Sequence, residues 1–201
     1  FGLCYTKVVS NITISCRLPE CKTYIQVSHC GIRFADVRDL VTLTRLEVSQ
    51  AGSTGVWIGG PGKAQIRASL FSNNGRSGLE RIGGFVECTH SEFIDNGSAR
   101  DEGGNLILGR SVSGRVVQNR FFRGVGIRCI DSEDVVIENN QLEDHRIGLV
   151  SSSARPRISS NEFTRNELAL QISGFSVPDH LVLNVIQETP RLLDNQALIE
   201  V

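Results

Sequence analysis

With 201 residues, 21 Lys and Arg against 22 Asp and Glu, and a formal charge of −1, the chain has no excess of either sign to offer nucleic acid or a membrane surface. No apolar run approaches the roughly 18 residues that a membrane-spanning helix needs, so no membrane span is expected in this segment. The chain contains no Met, opens abruptly at Phe1 and ends on Leu198-Ile199-Glu200-Val201, which points to a processed chain or a segment of a larger protein.

Residues 1–24 hold Cys4, Cys16 and Cys21, and Cys30 follows closely. Val8-Val9 and Ile12-x-Ile14 suit an N-terminal cap or an irregular first coil. Spacings of 11, 4 and 8 intervening residues fit no zinc pattern. The four cysteines are disulfide candidates, which suits a secreted chain; thiols packed as small apolar residues are the other reading, and both stand. Asn11-Ile12-Thr13 and Asn96-Gly97-Ser98 make Asn11 and Asn96 glycosylation candidates. Cysteines and triplets together favour an extracellular or cell-surface location over a cytoplasmic one.

From residue 25 to residue 187 the chain repeats itself. Val135–Leu149 and Pro156–Leu170 superimpose without a gap at a period of 21. Each has an apolar residue, two spacers, Asn, one spacer and a large apolar residue. Taking Asn140 and Asn161 as register marks, equivalents fall at 25, 46, 69, 91, 119, 140, 161 and 184, with steps of 21, 23, 22, 28, 21, 21 and 23. The long step, at 91 to 119, predicts a loop insertion.

Each unit holds three short runs with period-two alternation, which predicts three short strands separated by Gly-, Ser- and Asn-rich turns. Helical spacing is suggested only weakly, over residues 189–200. Three strands per 21–23 residues describe one coil of an all-β parallel solenoid, each strand pairing with its equivalent about 4.8 Å along the axis. Phe71, Phe93, Phe121, Leu142 and Phe163 are predicted to stack in one inward column, and Ile66, Cys88, Val116, Ile137 and Ile158 in another. Cys129 is expected inside as well. Asn119, Asn140, Asn161 and Asn184 are expected to form an Asn ladder, since Asn tolerates left-handed turns and its amides bond to one another when stacked. Residues 188–201 form a C-terminal end expected to continue into a missing segment.

On that repeat, the chain resembles the right-handed parallel β-helix proteins of the pectate-lyase-like superfamily over residues 25–187. The resemblance implies a right-handed β-helix of about eight coils. It also implies that a groove, if there is one, lies on the third strand of each coil, whose expected outward positions are Arg33, Trp57, Glu80 or Arg81, Ile107, Arg128, Gly148 and Ala169. The adjoining turns add Arg76, Asp101, Glu102, Asp131, Asp144, His145 and Arg146. Ligand-binding candidates are Trp57, Arg76, Asp101, Glu102, Arg128 and Arg146, with the single Trp suited to stacking on a sugar ring. Catalytic candidates are Arg128, His145, Asp131 and Asp144. The superfamily's diagnostic Asn-Thr-Asp and Asp-Pro-His motifs are absent, and Pro178-Asp179-His180 has the wrong order.

The expectation is therefore a non-catalytic scaffold for an extended polysaccharide or a protein partner, with no metal or other cofactor. The alternative is a lyase, epimerase or glycoside hydrolase with its site on the third-strand face near the 95–104 loop. A lyase would call for Ca²⁺ held by carboxylates.

Overall fold

The computed structural model describes residues 31–97, 103–174 and 180–197, together with the strands Cys4–Tyr5, Ile12–Ser15 and Thr23–Gln26; His180, residues 195–197 and those three strands are described by backbone alone. The described residues contain strands and no helix. Strands pair in parallel with their equivalents one turn along. The second strands form one such series: Thr23–Gln26, Leu46–Ser49, Leu70–Ser72, Glu92–Ile94, the starts of Arg120–Ile130 and Gln141–Ser152, Glu162–Thr164 and Val185–Gln187. These eight strands bound seven steps of a solenoid. The Cys4–Tyr5 and Ile12–Ser15 strands pair with Ile32–Phe34 and Leu40–Thr44 in the same way.

The register corrects two details. Leu46 pairs with Thr23, so the first register mark lies two residues before Ile25. The weak helical suggestion at 189–200 gives way to the strand Arg191–Ala197, which pairs along Leu168–Gly174.

Two corners of every turn are sharp, and both are built the same way. One residue in the left-handed region turns the chain, and the next points its side chain inward. Between first and second strands the turning residues are Arg45, Ala68, His90, Gln118, Asn139, Ser160 and Leu183, with φ of 48° to 58°. Between second and third strands they are Gln50, Asn73, Asp95, Arg123, Asp144, Arg165 and Glu188, with φ of 49° to 59°. None is β-branched, as sterics in that region require. The expected role of Asn in the left-handed turn is thus corrected: at the first corner Asn119, Asn140, Asn161 and Asn184 follow the turning residue rather than occupying it.

The ladder itself is present. Asn140 Oδ1 accepts from the Asn119 backbone N–H at 2.9 Å, and Asn140 Nδ2 donates to the Val116 carbonyl at 2.8 Å and to Asn161 Oδ1 at 3.0 Å. Asn161 and Asn184 repeat the pattern. Towards the N-terminus Ser91 and Ser69 continue it with hydroxyls. A second ladder runs along the other sharp corner, through Asn74, Asn96 and Asn166. Buried amides at these corners satisfy backbone groups that no strand pairing reaches.

Between the ladders lie the apolar columns. Phe71, Phe93 and Phe121 stack with ring centroids 4.9 and 4.8 Å apart, and Leu142 and Phe163 continue the file. Ile66, Cys88, Val116, Ile137 and Ile158 form the first-strand file. Cys88 and Cys129 are fully buried free thiols, and burial pushes both up to about 12.

Candidate functional site

The third strands carry one outward column: Arg33, Trp57, Glu80, Ile107, Arg128, Val150, Gln171 and Asp194. Gly148 and Ala169 are therefore not the outward pair. A Cβ on Gly148 would meet the Phe163 ring at 2.8 Å, so that position faces inward. At the Glu80/Arg81 step, Glu80 is outward and Arg81 is inside. Arg81 is fully buried, and its guanidinium donates to the carbonyls of Ile58, Gly60 and Gly62 at 3.2, 2.9 and 2.6 Å, closing the Gly-rich corner at 59–62 from within.

Along part of this column the face opens into a groove lined by Arg33, Ser53, Thr54, Trp57, Arg76 and Glu80. Gly59 makes room for it: a Cβ there would lie 2.3 Å from the Trp57 ring, so the indole lies along its own strand. The Arg33 guanidinium, one turn back, sits 4.6 Å from the indole centroid. Glu80, one turn on, has a side chain only 10% exposed. Its carboxylate accepts from Thr54 Oγ1 at 3.3 Å and faces Arg76 Nη2 at 3.5 Å, while Ser77 Oγ donates to Thr54 Oγ1 at 3.0 Å. The Nε of Arg76 is buried and has no hydrogen-bond partner. The indole thus lies between the Arg33 guanidinium and a carboxylate that Arg76 already pairs. That combination suits a ligand with a flat apolar face and negatively charged or hydroxyl substituents.

Residues 30–181 match the family model of the right handed beta helix region. The chain belongs to the right-handed β-helix family. A crystal structure of pectate lyase Pel9A overlays on 96% of the chain and 69% of its own, with a TM-score of 0.46 and 15% sequence identity. No curated protein matches the chain. No helix of the described residues is long and apolar enough to cross a membrane.

The catalytic candidates do not converge in this β-helix. His145 is 1% exposed and occupies a position of the second ladder, its backbone N–H donating to Asn166 Oδ1 at 2.9 Å. Both ring nitrogens lack a hydrogen-bond partner. Carbonyls of Arg123, Phe121 and Gly124 lie near enough to favour the imidazolium, yet burial dominates and pushes the ring down to about 4. A base needs access to its substrate, so His145 as a general base is corrected to a core residue.

Asp144 turns the corner just before it and is held by Arg165 Nε at 2.8 Å, and Arg165 also bonds to Glu143. Asp131 turns the opposite corner, with φ 49°. A third strand of six residues at about 3.3 Å per residue, roughly 20 Å, separates these two corners.

Arg128 lies on the outward face between them and donates from Nε to the Gly103 carbonyl at 2.7 Å, tying down the return of the insertion. Arg146 is exposed beside His145. Asp101 and Glu102 lie outside the described residues, as do Asn11, Cys16, Cys21 and Cys30; Cys4 is described by backbone alone. Of the ligand-binding candidates, Trp57 and Arg76 share the groove, while Arg128 sits two turns further along the column from Glu80. Among the described residues no three His, Cys, Asp or Glu side chains are grouped to hold a metal ion.

Asn96 is a further correction. Its amide is fully buried and donates to the Phe71 carbonyl at 2.8 Å and to Asn105 Oδ1 at 2.9 Å. The nitrogen that would carry a glycan is a rung of the second ladder.

Ser53 and Thr54 line the groove, with Ser77 buried behind Thr54, and the sequence pattern singles out none of the three. Ser53-Thr54-Gly55 reads as turn composition, and only the register places Thr54 under Ser77 and Trp57 under Glu80.

Proposed function

We infer that this β-helix is a non-catalytic binding module whose groove at Arg33, Trp57, Arg76 and Glu80 takes one stretch of an extended, acidic carbohydrate. The observation that carries this reading is the indole laid along Gly59 between the Arg33 guanidinium and the nearly buried carboxylate of Glu80. Stacking supplies area, Arg33 and Arg76 against the single carboxylate of Glu80 leave one positive charge for an acidic substituent, and Glu80 with Thr54 supplies hydroxyl partners. The dispersal of Arg128, His145, Asp131 and Asp144 favours binding over bond cleavage. An extracellular or cell-surface setting, where such polymers occur, belongs to the same proposal.

Trp57 is the sole Trp, so its emission reports on the groove alone. Titration with oligogalacturonate should change that emission saturably, and Arg76→Ala should weaken the response at least tenfold. No change with any acidic oligosaccharide would overturn the reading. New reducing ends or an unsaturated product, lost in Arg128→Ala, would replace it with the polysaccharide-active enzyme.

A further inference from the structure

We propose that the second-strand face carries a separate site for a neutral pyranose chain, centred on Phe122. It goes beyond the groove at Trp57: it lies on a different face of the solenoid, three turns further along, and answers to a different ligand charge.

Ile94, Phe122 and Glu143 stand in one outward column of the second strands, and Glu92, Arg120 and Gln141 in the column beside it. These six residues line a groove with an apolar floor and a polar rim. Phe122 is half-buried, although it points away from the core file that its neighbour Phe121 joins. Its ring is held in place by the Arg123 guanidinium, 4.6 Å from the centroid, and Arg123 is itself anchored to Asp95 at 3.0 Å. An aromatic ring fixed in this way offers a ready platform for the apolar face of a sugar.

Charge decides between ligand classes. Each carboxylate on the rim already faces a guanidinium: Glu92 meets Arg120 at 3.4 Å, and Glu143 bonds to Arg165. Arg165 is shared with Asp144, so the rim has no positive excess with which to recruit an acidic ligand. The paired groups still present lone pairs and N–H bonds to hydroxyls, and Gln141 adds an amide. An extended peptide is the poorer fit. The backbone on this face is already bonded to strands on both sides, so it has no edge to lend to an added strand.

The test uses hexaoses of β-1,4-linked glucose, mannose and galactose as neutral probes, with hexagalacturonate as the acidic comparator. Amide shifts are followed by NMR alongside Trp57 emission. At least one neutral hexaose should move the amides of residues 92–94, 120–122 and 141–143 and leave Trp57 emission unchanged. Phe122→Leu keeps an apolar side chain on the rung and should weaken that binding at least tenfold, and Gln141→Ala severalfold. The proposal is overturned if no neutral hexaose moves these amides, if Phe122→Leu binds as well as the parent, or if neutral probes act through Trp57 instead. Failure of hexagalacturonate to change Trp57 emission would sink the first groove and leave this one standing.

Discussion

Asn105 supplies the amide that Gly124 lacks. Along the second ladder each inward residue is met by the side chain one turn on, as Asn74 is by Asn96. One turn beyond Asn96 stands Gly124, which follows Arg123 as a second left-handed residue, with φ 76°. Asn105, nine residues after Asn96 and beyond the insertion, fills the gap. Its Oδ1 accepts from the Asn96 N–H at 3.2 Å and from Asn96 Nδ2 at 2.9 Å, and its Nδ2 donates to the Arg123 carbonyl at 2.9 Å. The insertion brings its own ladder member.

Asn105→Ala should therefore cost about 2 kcal/mol or more, because it strands buried donors and a carbonyl together. Urea unfolding measures it. A loss under about 0.5 kcal/mol, the usual size for an inert surface change, would mean the amide is dispensable.

His145 predicts an acid-sensitive fold. Its folded value of about 4 lies below the ordinary 6.5, so the neutral ring is the form the fold favours. Stability is then complete above about pH 6.5 and is lost as pH falls from there towards 4, by on the order of 3 kcal/mol. His145→Asn, which restores the residue found at Asn74, Asn96 and Asn166, should flatten this dependence. Melting temperatures at pH 7.5 and pH 5 for both proteins decide it.

Phe93 sits between Phe71 and Phe121 in the ring stack. Phe93→Ala should cost about 3–5 kcal/mol, and Phe93→Leu clearly less, since Leu142 already serves in the same file. Equal losses for the two would show that volume is not what the column supplies.

Arg81→Met should cost about 3 kcal/mol or more. The methionine fills the space but removes the guanidinium bonds to the carbonyls of Ile58, Gly60 and Gly62, of which Gly62 keeps the Phe85 N–H. Chemical denaturation checks this, and a neutral or stabilising result would show that the buried charge costs more than its bonds return.

Much of the architecture was legible because period-two alternation and stacked Asn and Phe are local signals. Their limits are also local. A slip of two residues preserves alternation, so Ile25 and Thr23 looked alike as register marks. A left-handed residue reverses the facing of the next one, so His145 read as a turn residue when Asp144 had already turned the chain inward. Asn74 read as turn composition beside Gly75 and Asn96 as a glycan acceptor, although their amides bind backbone deep in the solenoid. The groove needed partners from separate turns, Arg33, Thr54, Trp57 and Glu80, and no spacing in one unit announces them.

Asn105 apart, the ladder amides bond the backbone of neighbouring turns in one direction. Each reaches back to cap an N–H and a carbonyl of the preceding turn, as Asn140 does for Asn119 and Val116. A turn therefore stays provisional until its successor arrives. As the chain is synthesised, closure should trail elongation by one winding, and a break in the middle should loosen the winding before it rather than the one after.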